Sequence, residues 1–385
     1  MELVPVDLLV RGAAELATPL GSTPRTGREF KELRVVPKGA VAIDRGLIVA
    51  CGPEEELTQR FAPRATLDAA GGTLVPGFVD AHTHPVFATT REDEFELRTR
   101  GATYAEIAAA GGGILSTTRG VRAAPRERLV QRLERHLDRF LELGTTTVEA
   151  KTGYGLSLEA ELKCLEAIAE VRARHAVDLV PTFLGAHDFP EEFRGDKEAY
   201  VRLLERELLP RVAEGKLAEY CDVFTEGIAF SIPQSRRILG VARELGLGLR
   251  LHVDQLTPLG GAELAAELGA ASADHLEHVS EAGIDALAER GVVAVLCPVV
   301  PLFLRQEREA PGRRLADRGV AIAISTDFNP GSCYLQSMPE VISWAALRYR
   351  LSAAECLTAA TLNAACSLGR GAVTGSLEPG KRADL

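Results

Sequence analysis

The stretch TLVPGFVDAHTH, residues 73–84, decides how the rest of the chain is read. Pro76-Gly77 is a turn signal. The apolar run over residues 78–81 then reads as a short strand that ends in His82 and His84. Side chains two apart on a strand share a face, so two neutral imidazoles standing side by side offer half of a metal site. The same letters also fit a polar loop with two unrelated histidines, because short motifs recur by accident. The remainder of the chain decides between the two.

Downstream of Gly72 the pattern becomes regular. Apolar, strand-like segments recur at residues 145–150 (TTTVEA), 178–184, 220–225, 247–253, 271–276, 292–297 and 320–325, and residues 78–81 make the eighth. Helical patterns fill most of the gaps. Over residues 158–175, Leu158, Leu162, Leu165 and Ile168 fall on one helical face, with Ser157 as N-cap and Glu159 and Glu161 in the first turn. Residues 280–289 also read as a helix. Alternating strands and helices imply a parallel sheet, and eight such units imply an α/β fold closed into a (β/α)8 TIM-like barrel. An open doubly wound sheet is the alternative, but no Gly-x-Gly-x-x-Gly turn follows an early strand. Gly111-Gly112-Gly113 lacks the Lys-Ser/Thr of a phosphate loop and reads as a mobile loop over the barrel mouth.

Residues 1–70 carry no catalytic character. They read as a small β module, with a strand at 6–10 and a hairpin of residues 40–43 and 47–50 around Asp44-Arg45-Gly46. After the eighth strand, Ser337-x-x-Glu340 and Ser352-x-x-Glu355 are capping-box signals for two helices. The expected organisation is therefore a β-sandwich part at 1–70, the barrel at 71–370, and a returning β segment at 371–385. That last segment, which contains GSLEPGKRADL, breaks off where a strand is expected to continue, so truncation is the expectation.

Composition bounds the function. A chain of 385 residues exceeds one barrel of about 250 and leaves room for the β module. Apolar residues at 46% and charged residues at 25% are ordinary for a globular protein. The net charge of −10 argues against a nucleic-acid surface. Seven irregularly spaced cysteines argue for a reducing compartment rather than a disulfide framework. The N-terminal MELVPVDLLVRG is not a signal peptide, and no apolar run approaches the ~20 residues of a membrane span, so a cytoplasmic location is expected.

In a barrel of this kind the site lies at the C-terminal ends of the strands, and the histidines can be sorted by that rule. His82 and His84 follow the first strand, His187 the third, His252 ends the fifth and His275 the sixth. His136, His175 and His278 lie elsewhere and read as ordinary. Asp327 ends the eighth strand. Alone, His252 reads as a satisfied core histidine and Asp327 as a helix cap. Together, His82, His84, His252 and Asp327 are a sound ligand set for one zinc or iron ion, with a position left open for water.

The segments DAHTHPVF, REDEFELRTRG, AAAGGGILSTT, KTGYGLS, FLGAHDFP, LHVDQL, ADHLEH and STDFNPGS extend the pattern. With them the sequence resembles the amidohydrolase superfamily, and within it the branch that opens the imidazolone ring in histidine degradation. His-x-His and the final Asp mark only the superfamily, whereas KTGYGLS, FLGAHDFP and STDFNPGS are more specific. The resemblance implies hydrolysis of the cyclic amide of 4-imidazolone-5-propanoate to N-formimidoyl-L-glutamate. It implies metal ligands His82, His84, His252 and Asp327, with His275 and Asp327 as catalytic groups. It also implies Arg91 as binder of the substrate carboxylate, with Tyr154, His187, Gln255, Asn329, Gly331 and Ser332 as further substrate contacts. Some family members carry Glu where this chain has Gln255, and a glutamine cannot act as a general base, which leaves proton transfer to Asp327 or His275.

Alternatives remain open at this point. Arg91 stands beside Glu92, Asp93 and Glu94 and also reads as a surface ion-pairing residue; Tyr154 between two glycines also reads as a turn. Lys151 follows the second strand, whereas a carboxylated lysine bridging two metals belongs on the fourth, which ends in Thr225-Glu226. A single metal is therefore expected. A purine or pyrimidine aminohydrolase is the nearest enzyme alternative. A non-catalytic scaffold on the same barrel is the alternative of another class. The expected assembly is a homodimer acting on a small molecule, with no nucleic-acid or membrane partner.

Overall fold

The computed structural model describes residues 3–102, 106–107 and 110–385; of the segments quoted above, Met1, Glu2, Ala108 and Ala109 lie outside the described residues. Seven strands precede the barrel: β1 (Val4–Arg11), β2 (Glu15–Thr18), β3 (Arg34–Pro37), β4 (Gly39–Asp44), β5 (Leu47–Pro53), β6 (Phe61–Asp68) and β7 (Thr73–Leu74). They form two small sheets, ordered β5-β4-β1-β6 and β3-β2-β7. Strand β4 shows why they stack. Val41 and Ile43 pack with Leu16, Val36 and Leu74 between the sheets, while Ala40 and Ala42 pack on the other side with Leu57 of the helix Glu54–Arg60. That is the period of two for a strand buried on both faces. The expected hairpin is present, and Arg45 (φ 49°) and Gly46 (φ 75°) adopt the positive φ values of a tight two-residue turn.

Eight parallel strands follow: β8 (Phe78–Asp80), β9 (Thr145–Lys151), β10 (Asp178–Ala186), β11 (Tyr220–Thr225), β12 (Gly248–Val253), β13 (Ser272–His275), β14 (Val293–Leu296) and β15 (Ile322–Ile324). They are ordered by sequence, as right-handed βαβ repeats require. The ring closes just beyond the strand ends. Asp327 N donates to His82 O, His84 N donates to Phe328 O, and Thr83 bridges Phe328. The backbone that closes the barrel is thus the backbone that carries three of the expected ligands. The helix Leu158–Arg172 is three residues shorter than its pattern, and Ser157 caps it by accepting from Ala160 N. The helix Glu281–Arg290 starts at the N-cap Ser280. Ser352 and Glu355 form a full capping box, whereas Ser337 supplies only its own half.

The segment 371–385 carries no regular strand but returns to the N-terminal module: it lies along the 46–48 edge through Ile48 N to Lys381 O, Ala383 N to Gly46 O and one isolated antiparallel bridge, Leu47 to Arg382. Gly111–Gly113 lead into the helix Ile114–Ala123, and the Gly113 N–H is held at 2.9 Å by the buried Glu94 carboxylate. All seven cysteines are free thiols, and no helix of the described residues is long and apolar enough to cross a membrane.

Candidate metal centre and active site

At the C-terminal end of the barrel, ring nitrogens and a carboxylate converge from strands far apart in sequence. His82 Nε2 and His84 Nε2 are 3.3 Å apart, as are His84 Nε2 and His252 Nε2. Asp327 Oδ1 lies 3.5 Å from His82 Nε2 and 3.4 Å from His84 Nε2. Four ligand atoms placed about 2.1 Å from a common centre in tetrahedral fashion are about 3.4 Å from one another, so these separations fit a shared ion. Among the described residues Asp327 Oδ1 is fully buried yet has no hydrogen-bond partner, an acceptor that a cation or a hydrogen-bond donor would satisfy. The donor set of three imidazoles and a carboxylate suits zinc or iron.

Neighbouring carboxylates fix the ring orientation. His82 Nδ1 lies 2.7 Å from Asp274 Oδ2. A carboxylate only accepts, so Nδ1 carries the proton and Nε2 keeps its lone pair for the centre. His252 Nδ1 is 3.0 Å from Asp222 Oδ2, an oblique approach, and its backbone N–H donates to Asp222 Oδ1 at 3.2 Å. Burial, reinforced by the Lys151 ammonium, pushes the pKa values of His82, His84 and His252 well down, which keeps them neutral and able to ligate. Burial also raises the Asp327 carboxyl to about 6.

Beneath the histidines lies a layer the sequence reading did not anticipate. Glu149, Lys151, Asp222, Arg250 and Asp274 are completely buried inside the barrel. Lys151 Nζ is 2.5 Å from Asp222, 2.9 Å from Glu149 and 3.5 Å from Asp274. Arg250 Nε is 2.8 Å from Glu149, and its Nη groups donate to Ala81 O and Ser367 O. Lys151 thus does not follow the second strand, as expected, but is its last residue with its side chain turned inward. The missed signal is spacing: Asp80 and His82, Glu149 and Lys151, and Arg250 and His252 are each two apart, so a charge inside an apolar strand shares a face with each strand-end group. Asp80 itself accepts from the hydroxyls of Ser325 and Thr326 and ties the first strand to the eighth.

His275 sits beside this cluster. A ring nitrogen of it lies within 4.8 Å of donors of His82 and His252, so it too could approach a shared ion. Burial works against its imidazolium, but Glu277, with an oxygen 3.8 Å from Nδ1, prevails and the pKa is raised. His275 (φ 80°) and Asp327 (φ 51°) both hold left-handed backbone, and such strain concentrates at functional sites.

A deep cavity of about 50 Å³ is lined by His84, His252, His275 and Asp327 together with Arg91, Tyr154, His187, Gln255, Asn329 and Ser332. An outer cavity of about 710 Å³ shares Ile114, His187, Phe224, Leu256 and Leu304 with it and carries none of the four converging donors. The KTGYGLS loop is pinned by buried Glu161, which accepts from Gly155 N and Leu156 N. The His187 ring stacks on His84 at 5.1 Å, and its Nδ1 donates to Gly153 O, leaving Nε2 as an acceptor. The polar atoms of Asn329 bind within its own loop: Nδ2 donates to Asp327 O and Ser332 Oγ, and Oδ1 accepts from Gly331 N and Ser332 N. Gly331 lies outside the deep cavity, behind Arg91. His136 is not the ordinary helical residue expected: it is buried, with Nδ1 donating to Pro85 O. Glu226, at the end of the fourth strand, accepts from Leu256 N and the Thr257 hydroxyl.

Known proteins resemble this arrangement at two levels. A model described as the amidohydrolase family matches residues 73–385. An imidazolonepropionase of Symbiobacterium thermophilum is 50% identical over 99% of this chain and 90% of its own length. One of Solibacter usitatus is 51% identical over 97% of this chain and 90% of its own length. Among solved structures, an adenosine deaminase of Xanthomonas campestris with bound zinc superposes with a TM-score of 0.72 over 99% of this chain and 84% of its own; at 24% identity that likeness shows the fold.

Proposed function

This chain belongs to the amidohydrolase family, and from that premise we propose that it hydrolyses the cyclic amide of 4-imidazolone-5-propanoate to N-formimidoyl-L-glutamate. It is a hydrolase acting on a carbon–nitrogen bond of a small molecule. The observation that carries this reading is the cluster of His82, His84, His252 and Asp327, three of which line one deep cavity with Arg91, in a chain about half identical to imidazolonepropionases along nearly its whole length.

In this reading His82, His84, His252 and Asp327 would hold one zinc or iron ion, which when bound would supply Lewis acidity for the ring carbonyl and a water. Asp327 accepts the proton of the attacking water and delivers it to the ring nitrogen as the carbonyl–nitrogen bond breaks. The carbonyl carbon leaves as a carboxylate and the nitrogen as the end of the formimidoyl group. His275, favoured in its protonated form by Glu277, donates toward the oxygen that gains charge. Arg91 grips the propionate, for which a planar fork is suited. Tyr154, His187 and Gln255 contact the ring; Asn329, Gly331 and Ser332 shape the loop at the propionate end, Asn329 through bonds internal to that loop.

The domain scheme (1–70, 71–370, 371–385), a cytoplasmic location and a homodimer without nucleic-acid partner belong to the same proposal. They rest on the resemblance and on the net charge of −10. The test is an ultraviolet assay on freshly made imidazolone propionate, with metal analysis of the same preparation and guanine and adenosine as control substrates. Turnover of a purine but not of the imidazolone would overturn the reading.

A further inference from the structure

We propose that Lys151 is a positioning residue for the metal centre: its ammonium grips Asp222 and Asp274, the carboxylates behind His252 and His82, and so keeps both imidazoles aimed at Asp327. The inference rests on the metal reading above, but not on the identity of the substrate.

Distances and charge carry it. Asp222 Oδ2 lies 2.5 Å from Lys151 Nζ and 3.0 Å from His252 Nδ1. Asp274 Oδ2 lies 3.5 Å from Lys151 Nζ and 2.7 Å from His82 Nδ1. One ammonium therefore stands behind both histidines, through carboxylates delivered by β11 and β13. Bulky apolar side chains usually fill the interior of such a barrel. Here Glu149, Asp222 and Asp274 face Lys151 and Arg250, three carboxylates against two cations, all completely buried. Arg250 is anchored elsewhere: two of its donors go to Ala81 O and Ser367 O, and it stands 2.8 Å from Glu149. Of the two cations, Lys151 alone approaches within 4 Å of both carboxylates that touch the histidines. Without it, among the described residues, Asp222 loses the one cation within 4 Å and Asp274 keeps only Arg250, at 3.5 Å, in a dry interior where an uncompensated charge is strongly unfavourable. The imidazoles leaning on them then lose their aim.

The experiment uses metal-free full-length protein titrated with Zn²⁺ against a chromophoric chelator, and with Co²⁺ for its visible d–d bands. Lys151→Met should weaken Zn²⁺ binding by roughly 10- to 100-fold, as loss of an outer partner of a ligating histidine does, and should shift the Co²⁺ bands. Thr182→Val is the structural control, because Thr182 bonds only Glu149 in the same layer; it should leave both readouts near wild type even if it lowers thermal stability. Asp222→Asn cuts the charged link between Lys151 and His252 while keeping the shape. It should weaken Zn²⁺ binding, and combining it with Lys151→Met should add little. If Lys151→Met does not fold, Asp222→Asn alone decides in the same way. Wild-type Zn²⁺ affinity in either variant overturns the proposal, as does an equal loss in Thr182→Val. A wild type without tight Zn²⁺ or Co²⁺ binding overturns the metal centre itself.

Discussion

A Cβ placed on Gly331 would stand 1.9 Å from both Cζ and Nη2 of Arg91. The guanidinium that lines the deep cavity is therefore seated on the backbone of the loop that follows Asp327. Among the described residues its nearest acid, Glu94, is 3.7 Å away, and its buried Nε has no hydrogen-bond partner. Packing rather than a tight ion pair sets this arginine, and its free donor suits an incoming carboxylate. Arg91→Ala should lower kcat/KM for imidazolone propionate ~30-fold or more, about 2 kcal/mol for truncating one partner of a buried charge pair. Gly331→Ala keeps the arginine in the sequence but displaces its guanidinium from this seat, and should cost a comparable factor. The double variant should be no worse than Arg91→Ala, because both act through one group. Full activity of Gly331→Ala would show that Arg91 does not hold the substrate.

One ion per chain is the second prediction. Among the described residues, the buried groupings able to hold a cation all share His82; the one that lies deeper, His82, Glu149 and Asp274, already has Lys151 and Arg250 standing against its carboxylates. Metal analysis after exhaustive dialysis should give a single zinc or iron, and His252→Ala or Asp327→Ala should lose both ion and turnover. Two ions, both needed for activity, would rule out the mononuclear scheme.

The strands and the site differ in how legible they are. Runs such as TTTVEA declare a strand by composition, and the eight barrel strands fall within a few residues of their expected bounds. Strand-end histidines stand out because a histidine closing an apolar run is unusual. Lys151 does not stand out, because a lysine after a strand ordinarily marks the return to solvent. Its burial depends on Asp222 and Asp274 arriving from strands more than seventy residues on, which no local pattern encodes. The 371–385 segment is the converse case: its letters suit a strand, and it lies along the 46–48 edge with bonds too few for a regular ladder.

His136 supplies a prediction on acid stability. Burial pushes its imidazole down from 6.5 to about 4, against the favourable bond to Pro85 O. In the unfolded chain it takes a proton below about 6.5, whereas in the fold it stays neutral to about 4. Its contribution is therefore complete above pH 6.5 and lost as pH falls towards 4, about 3 kcal/mol at 1.36 kcal/mol per unit. His136→Asn keeps a donor but cannot titrate. Melting temperatures of the metal-free protein between pH 4 and 6.5 should depend less on pH in this variant. Parallel curves for the two proteins would contradict the assignment.

His275 decides how the chemistry is divided. Its ring centroid is 5.0 Å from that of His82 and 5.3 Å from that of His252, close enough to be a fifth ligand. Yet its Nδ1 faces Glu277, whose two carboxylate oxygens are buried without a hydrogen-bond partner. Glu277 favours the protonated ring, and in that form the ring donates hydrogen bonds from both nitrogens. The geometry thus suits a group that stabilises charge on the substrate oxygen. His275→Ala should retain the full metal content of the wild type while kcat falls by ~10² to 10⁴, the range for one acid–base or oxyanion group. Glu277→Gln leaves the ring in place but withdraws the negative charge that favours its protonated form. It should lower kcat in the same direction, most strongly at alkaline pH, where the unassisted imidazole is neutral. If His275→Ala purifies without metal, His275 is a ligand, and proton delivery and oxyanion stabilisation must both be reassigned.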